Sequence, residues 1–145
     1  MAYGELIVGL TPIRTATVLS VFAVFNGLGR PVAAFLADKS GVVWVMIVTY
    51  TIQATTLLLF HTFAVTLPTL YVAVAFLGWG FAVTLAMFPT LTSLCFGTER
   101  LGSIYGMVFT AYGFAALAPV VGSRIFDVTG SYTPIFVSTG IMALI

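Results

Sequence analysis

Long apolar stretches separated by short polar or turn-forming segments make up most of this chain. Four stretches reach the roughly 20 mostly apolar residues that a helix needs to cross a bilayer. They cover residues 15–36, 42–60, 70–94 and 103–123, and the separators are residues 37–41, 61–69, 97–102 and 124–134. The pattern predicts an all-α, polytopic transmembrane helical bundle.

Two shorter apolar segments lie at the ends of the chain. Residues 135–145 begin a new apolar segment that is too short to cross a bilayer, and residues 6–10 look like the end of another. We therefore expect residues 1–145 to be one bundle from a longer protein, with four complete and two partial helices. The alternative is a short protein with interfacial ends.

Composition supports a membrane location. Of the 145 residues, 61% are hydrophobic and 6% are charged, whereas a soluble domain has about 25% charged residues. No Asp, Glu, Lys or Arg occurs between Ser40 and Thr98. A soluble enzyme is excluded, and so is a nucleic-acid partner, because a net charge of +1 offers no basic stripe.

The same residues bear on localisation and orientation. Glu5 lies where a signal peptide would carry basic residues, so we expect a multi-pass protein of the plasma (inner) membrane. Orientation stays undecided, because two basic residues fall on each side of the bundle: Lys39 and Arg100 on one, Arg14 and Arg124 on the other.

Arg30 is the one charged residue near the middle of a predicted span. A charge at that depth costs about 2.5–3.5 kcal/mol and usually faces a cavity or a partner. Small or polar residues share its helix face: Ala23, Asn26, Gly27, Ala33, Ala34 and Ala37. Such a face fits a cavity, but it fits close helix packing equally well, and snorkelling toward Asp38 is a third explanation. A guanidinium in a cavity suits a carboxylate.

Two aromatic residues at membrane depth are further candidates. Trp79 lies between Gly78 and Gly80, and Tyr112 shares a face with Tyr105, Val108 and Pro119. Each could line a cavity, or Trp79 could pack against a helix or lipid while Tyr112 bonds to a neighbouring helix.

We expect no enzyme activity, no metal and no cofactor, because one His, one Cys and no intramembrane carboxylate assemble neither a triad nor a metal site.

Several motifs resemble the major facilitator superfamily, and in particular its oxalate/formate antiporter branch. Asn26–Gly27–Leu28–Gly29–Arg30–Pro31 with the loop at Asp38 is similar to the eighth helix and its following loop, and Tyr105–Gly106 with Thr110–Ala111–Tyr112 is similar to the eleventh. The resemblance implies the C-terminal six-helix half of a twelve-helix carrier that works by alternating access. It also implies a missing N-terminal half.

The resemblance further assigns roles to individual residues. An arginine at the position of Arg30 pairs with substrate carboxylate, and Asp38 would gate the conformational change. Tyr112 stands where that branch has a lysine, so we expect a monocarboxylate or larger organic anion rather than a dianion. The loop motif is weaker than in the family, because Ala34 replaces its usual glycine and Val42 and Val43 stand where basic residues are common.

Our hypothesis is transmembrane transport of small organic anions by carboxylate exchange or facilitated transport. Arg30 would bind the carboxylate, while Tyr112, Asn26 and Trp79 would shape the site. The alternative function is a small structural or channel-forming membrane subunit, in which Arg30 serves packing or subunit pairing.

Overall fold

The computed structural model describes residues 11–115 and 117–143, and within those ranges it is helical with no strand. In chain order the helices are α1 (Pro12–Ser40), α2 (Val42–Leu58), α3 (Phe60–Phe63), α4 (Leu67–Phe96), α5 (Leu101–Ala115), α6 (Ala118–Thr129) and α7 (Thr133–Met142). The all-α prediction is confirmed. The apolar segment predicted at residues 6–10 lies outside the described residues.

Helices α1 and α4 are long and apolar enough to cross a membrane. At 29 and 30 residues, each is about 45 Å long at 1.5 Å per residue. Helix α4 begins with a capping box in which Thr66 and Thr69 satisfy each other's backbone groups. Both helices continue through an internal proline, Pro31 in α1 and Pro89 in α4.

The loop predicted at residues 37–41 is almost entirely helical. Helix α1 continues to Ser40, and α2 begins at Val42, so Gly41 alone separates them. Its φ of 88° lies in the region that favours glycine, which lets the chain reverse in one residue. Helix α2 has 17 residues, and the short helix α3 follows it after Leu59.

The fourth predicted span, residues 103–123, is wrong as a single continuous helix. The structure divides it into α5 and α6, with Leu117 in a turn between them. Pro119 lies at the start of α6, where its missing N–H and fixed φ are well tolerated, whereas in a helix interior they would break the backbone ladder. The separator predicted at residues 124–134 is also shorter, because α6 extends to Thr129.

Helix α4 is the centre of the bundle. It packs most extensively on α1, then on α2 and α5, while α2 also contacts α7. Two glycines allow the close approach to α1. A Cβ added at Gly29 would lie 2.7 Å from the Cβ of Ala82, and one added at Gly78 would lie 2.7 Å from the carbonyl oxygen of Phe22. Small residues therefore bring the two backbones together, as is common between membrane helices.

We predict that Gly29→Ala lowers the free energy of unfolding by about 1–3 kcal/mol, because the added methyl group forces α1 away from α4. Gly27→Ala is the matched control, since nothing lies within 4 Å of a Cβ at that position, and its helix propensity improves. Reversible unfolding of the purified protein in lipid–detergent micelles measures both. Equal stability of the two variants would contradict the glycine contact.

Candidate functional site

Arg30 lies on the surface of α1, at the edge of the face that packs against α4. Its neighbour Gly29 is buried against Trp79 and Ala82, whereas Arg30 is exposed. Among the described residues, no side chain forms an ion pair or hydrogen bond with Arg30. As far as residues 11–115 and 117–143 are concerned, the guanidinium is therefore available to an external anion.

The small-residue face around Arg30 is divided between two environments. Ala33 is completely buried in a cluster with Val83 and Met87. Gly27 and Ala34 on the other side of Arg30 are exposed. Helix packing therefore explains one edge of the face, and the other edge is left open beside the guanidinium.

Asn26 lies one helical turn before Arg30, about 6 Å along the helix axis. Its Oδ1 atom is buried and has no hydrogen-bond partner among the described residues. The side chain as a whole is only half-buried, so the amide nitrogen is the accessible part of the carboxamide. An amide N–H is a donor, so Asn26 and the guanidinium one turn away both offer donors to an anion.

Trp79 is held between α1 and α2. It packs against Gly29, and its Nε1 donates a hydrogen bond of 3.3 Å to Oγ1 of Thr49. It lines an apolar groove of about 650 Å³ that includes Phe25, Trp44 and Val72. Tyr112 is not among the residues that line this groove.

Tyr112 lies in a different groove, which we call the aromatic groove. It lies between α4 and α5 and has a volume of about 310 Å³. Its lining residues are Thr84, Leu85, Phe88, Tyr105, Val108, Phe109, Ala111 and Tyr112. The rings of Phe109 and Tyr112 are stacked, with centroids 5.4 Å apart and planes 7° from parallel. The sequence grouped Tyr112 with Tyr105, Val108 and Pro119. The first three line this groove, whereas Pro119 belongs to α6.

Thr84 is fixed in the wall of the aromatic groove by two hydrogen bonds. Its hydroxyl donates to the carbonyl oxygen of Gly80 at 2.8 Å. Because that donation uses its only proton, the hydroxyl of Tyr50 is the donor in the 3.1 Å contact with Thr84. The hydroxyl of Thr84 is therefore engaged by Gly80 and Tyr50, which hold this lining residue of the groove in a fixed position.

Sequence reasoning missed Thr84, Phe88, Phe109 and Tyr50, because a threonine or aromatic residue in an apolar span has no distinctive pattern. It also missed Gln53, whose buried Oε1 has no hydrogen-bond partner among the described residues. Gln53 faces Gly80. A glutamine within a predicted span was the available signal, since polar side chains at membrane depth are rare and usually face other helices.

Arg30 and the aromatic groove lie at the same depth in the bundle. Gly29 contacts Ala82, and Ala33 shares a cluster with Val83 and Met87, so Arg30 is level with the part of α4 that lines the groove. Phe22 lies about two turns before Arg30 on α1, where it contacts α4. Its ring is 5.8 Å from that of Phe81, which is 6.1 Å from the ring of Tyr112. This aromatic contact connects the α1 surface to α5.

Asp38 lies in the last turn of α1, far from Arg30. It is exposed, and no described residue forms an ion pair with it. Neighbouring Lys39 lies over the ring of Phe35, 4.5 Å from its centroid. Asp38 is thus available for a contact outside the bundle, and its gating role stays a prediction.

The Major Facilitator Superfamily model matches residues 3–145 of this chain. The chain belongs to this family. Members of the superfamily are integral membrane transporters rather than enzymes, which agrees with the argument against catalysis. The recognition made from the sequence motifs is confirmed at the level of the superfamily.

Individual relatives match over most of this chain but only part of their own length. The chain is 34% identical over 102 residues to the oxalate:formate antiporter of Oxalobacter formigenes, covering 68% of this chain and 24% of that protein. It is 29% identical over 126 residues to a lysosomal dipeptide transporter of Danio rerio, with 84% and 26% covered. Monocarboxylate transporter 14 of Mus musculus is 28% identical over 137 residues, with 90% and 26% covered. The chain thus spans about a quarter of the length of these relatives.

We predict an energetic coupling between Tyr50 and Thr84. In a double-mutant cycle, Tyr50→Phe and Thr84→Val should show an interaction of about 0.6 kcal/mol, with about 1.7 kcal/mol as the upper range for hydrogen bonds between membrane helices. Thr90→Val is the control partner, because the exposed Thr90 hydroxyl bonds only to the carbonyl of Ala86 on its own helix. Unfolding in micelles measures both cycles, and a coupling no larger than that of the control pair would argue against the bond.

Proposed function

We propose that this chain is the C-terminal half of a carrier that moves small organic anions by binding their carboxylate at Arg30. The N-terminal half would face it, and the site between the halves would open alternately to each side of the membrane. The observation that carries the proposal is an exposed guanidinium near the middle of α1 that has no ion pair or hydrogen bond with the described residues. Its location on the open edge of α1 provides access for a substrate.

Charge and geometry favour a carboxylate at this position. A charged side chain is costly at the centre of a helix in a bilayer, and pairing with an anion lowers that cost. A guanidinium offers two parallel N–H donors that match the two oxygens of a carboxylate. The amide of Asn26, one turn away, adds a donor on the same side.

The substrates in the names of the relatives agree with this chemistry. Oxalate, formate, a monocarboxylate and a dipeptide are named for the three relatives, and each of these compounds carries a carboxylate. They differ in size and in net charge. The shared group is therefore the part of the substrate that we assign to Arg30, and the remainder is assigned to other side chains.

Tyr112, Asn26 and Trp79 complete the proposed site in different ways. Tyr112 supplies a neutral hydroxyl where a second cation would be needed for a dianion, so a monocarboxylate is favoured over oxalate. Trp79 contributes indirectly, because it packs on Gly29 and so supports the part of α1 that carries Arg30. Asp38 would pair with the other half of the carrier in one of its two conformations.

The other candidate, a structural or channel-forming subunit, would use Arg30 for packing or for subunit pairing. Family membership favours the carrier, because superfamily members transport small molecules. Packing within the bundle does not engage Arg30, which is exposed beside the buried Gly29. A carrier also saturates and exchanges substrate, whereas a scaffold transports nothing.

We predict that Arg30→Gln abolishes carboxylate uptake in the protein expressed from its natural gene, because the amide removes the charge and the paired donors. Arg30→Lys should retain partial uptake with a raised KM, since the charge remains without the planar fork. Uptake of labelled carboxylate into proteoliposomes measures both, and the amount of protein in the membrane fraction monitors insertion. Arg124→Gln, at an exposed arginine of α6, is the control. Normal uptake by Arg30→Gln would rule out the proposed site.

We also predict that Tyr112→Lys shifts the preference toward dicarboxylates, because a second cation compensates the second negative charge. Competition of mono- and dicarboxylates for uptake measures the shift, with Tyr132→Lys, outside the aromatic groove, as the control. An unchanged competition order in the Tyr112 variant would place this residue outside the substrate site.

A further inference from the structure

We infer that the aromatic groove binds the apolar body of the substrate, so that the carrier selects monocarboxylates with an aromatic ring over one- and two-carbon acids. This inference rests on the proposed function, since it assumes that Arg30 holds the carboxylate. It adds the part of the substrate that Arg30 does not contact. The supporting observations are the size, the lining and the depth of the groove.

The volume of the groove fits a ring with a short linker. A cavity of about 150 Å³ lined by apolar side chains is sufficient for benzene, and small-molecule sites begin at about 300 Å³. The aromatic groove measures about 310 Å³. Formate or acetate would leave most of this space unfilled, whereas a phenyl ring with one or two methylene groups would occupy it.

The lining determines which end of the substrate enters. Four of the eight lining residues carry aromatic rings: Phe88, Tyr105, Phe109 and Tyr112. A carboxylate buried among them would lose its hydration without an opposite charge, which is strongly unfavourable. A ring would instead gain buried apolar area and offset or edge contacts with these side chains. The carboxylate therefore remains outside the groove, and the proposal assigns it to Arg30 of α1.

Hydroxyl groups distinguish this groove from an ordinary lipid-facing surface. Thr84, Tyr105 and Tyr112 all line it, and within the described residues the hydroxyls of Tyr105 and Tyr112 have no hydrogen-bond partner. Acyl chains cannot satisfy such groups, so polar side chains at membrane depth usually face protein or a water-filled cavity. Two unpaired tyrosine hydroxyls in one aromatic wall, beside a threonine hydroxyl that is bonded to Gly80 and Tyr50, favour a cavity that receives a polar-ended ligand.

The test compares acetate with phenylacetate, which differ by one ring. Isothermal titration of the purified carrier, expressed from its natural gene, gives the Kd of each acid. We expect phenylacetate to bind at least about tenfold more tightly, since burial of a phenylalanine-sized ring is worth that much or more. Equal affinities for the two acids would overturn the inference.

Variants separate the groove from Arg30. Phe109→Ala should remove most of the preference for phenylacetate while changing the Kd of acetate less than about twofold. Phe114→Ala is the matched control, because Phe114 is 72% exposed on the same helix and does not line the groove. If Phe109→Ala fails to fold, Phe109→Leu removes the ring with a smaller loss of volume. Loss of affinity for both acids in equal measure would show that the groove is not a separate subsite.

Arg30→Gln distinguishes failure of this inference from failure of the proposed function. If both proposals hold, this variant weakens acetate and phenylacetate alike. If it weakens both acids but the wild type binds them equally, the carboxylate site stands and the groove does not. If the wild type binds neither acid, or Arg30→Gln leaves both affinities unchanged, the proposed function fails and the inference with it.

Discussion

The close contact of α1 with α4 is the feature on which the rest of the bundle depends. A helix in a bilayer gains little from burying apolar side chains, because lipid is equally apolar, so van der Waals contact between surfaces that fit must hold helices together. Gly29 and Gly78 allow that contact, since a methyl group at either position would meet Ala82 or the backbone of Phe22. The rotation of α1 that follows fixes which of its side chains are buried.

That rotation leaves Arg30 exposed at the edge of the interface with α4. With Gly29 and Ala33 directed at α4, the next position along the helix comes to the edge of the interface. A guanidinium there is neither neutralised by packing nor far from the other helices of the bundle. Asn26 is turned partly into the interface by the same rotation, which buries its carbonyl oxygen and leaves the amide nitrogen accessible.

On the side of α4 that faces α2, hydroxyl groups join the two helices, and Gly80 allows a close approach to Gln53. Tyr50 of α2 donates to Thr84, and Trp79 donates to Thr49 of α2. Thr84 belongs at once to this interface and to the wall of the aromatic groove. A side chain that is already held by hydrogen bonds loses little conformational entropy when a ligand binds, and such preorganisation favours binding. The outer helix α2 thereby supports a groove that it does not itself line.

The sequence by itself determined the membrane class, the all-α fold and the superfamily, and it singled out Arg30, whose role stays a prediction. The length of an apolar segment and the position of a charge are local properties of the sequence, and they decide directly whether a segment is stable in a bilayer. It did not determine the break between α5 and α6, nor the extension of α1 to Ser40, because helix ends depend on backbone geometry within one or two residues. Only the tertiary structure brought Thr84, Phe88 and Phe109 together with Tyr112, and only it separated Trp79 from Tyr112. Both results depend on how neighbouring helices rotate against each other, and in a chain that is apolar on every side no sequence period specifies that rotation.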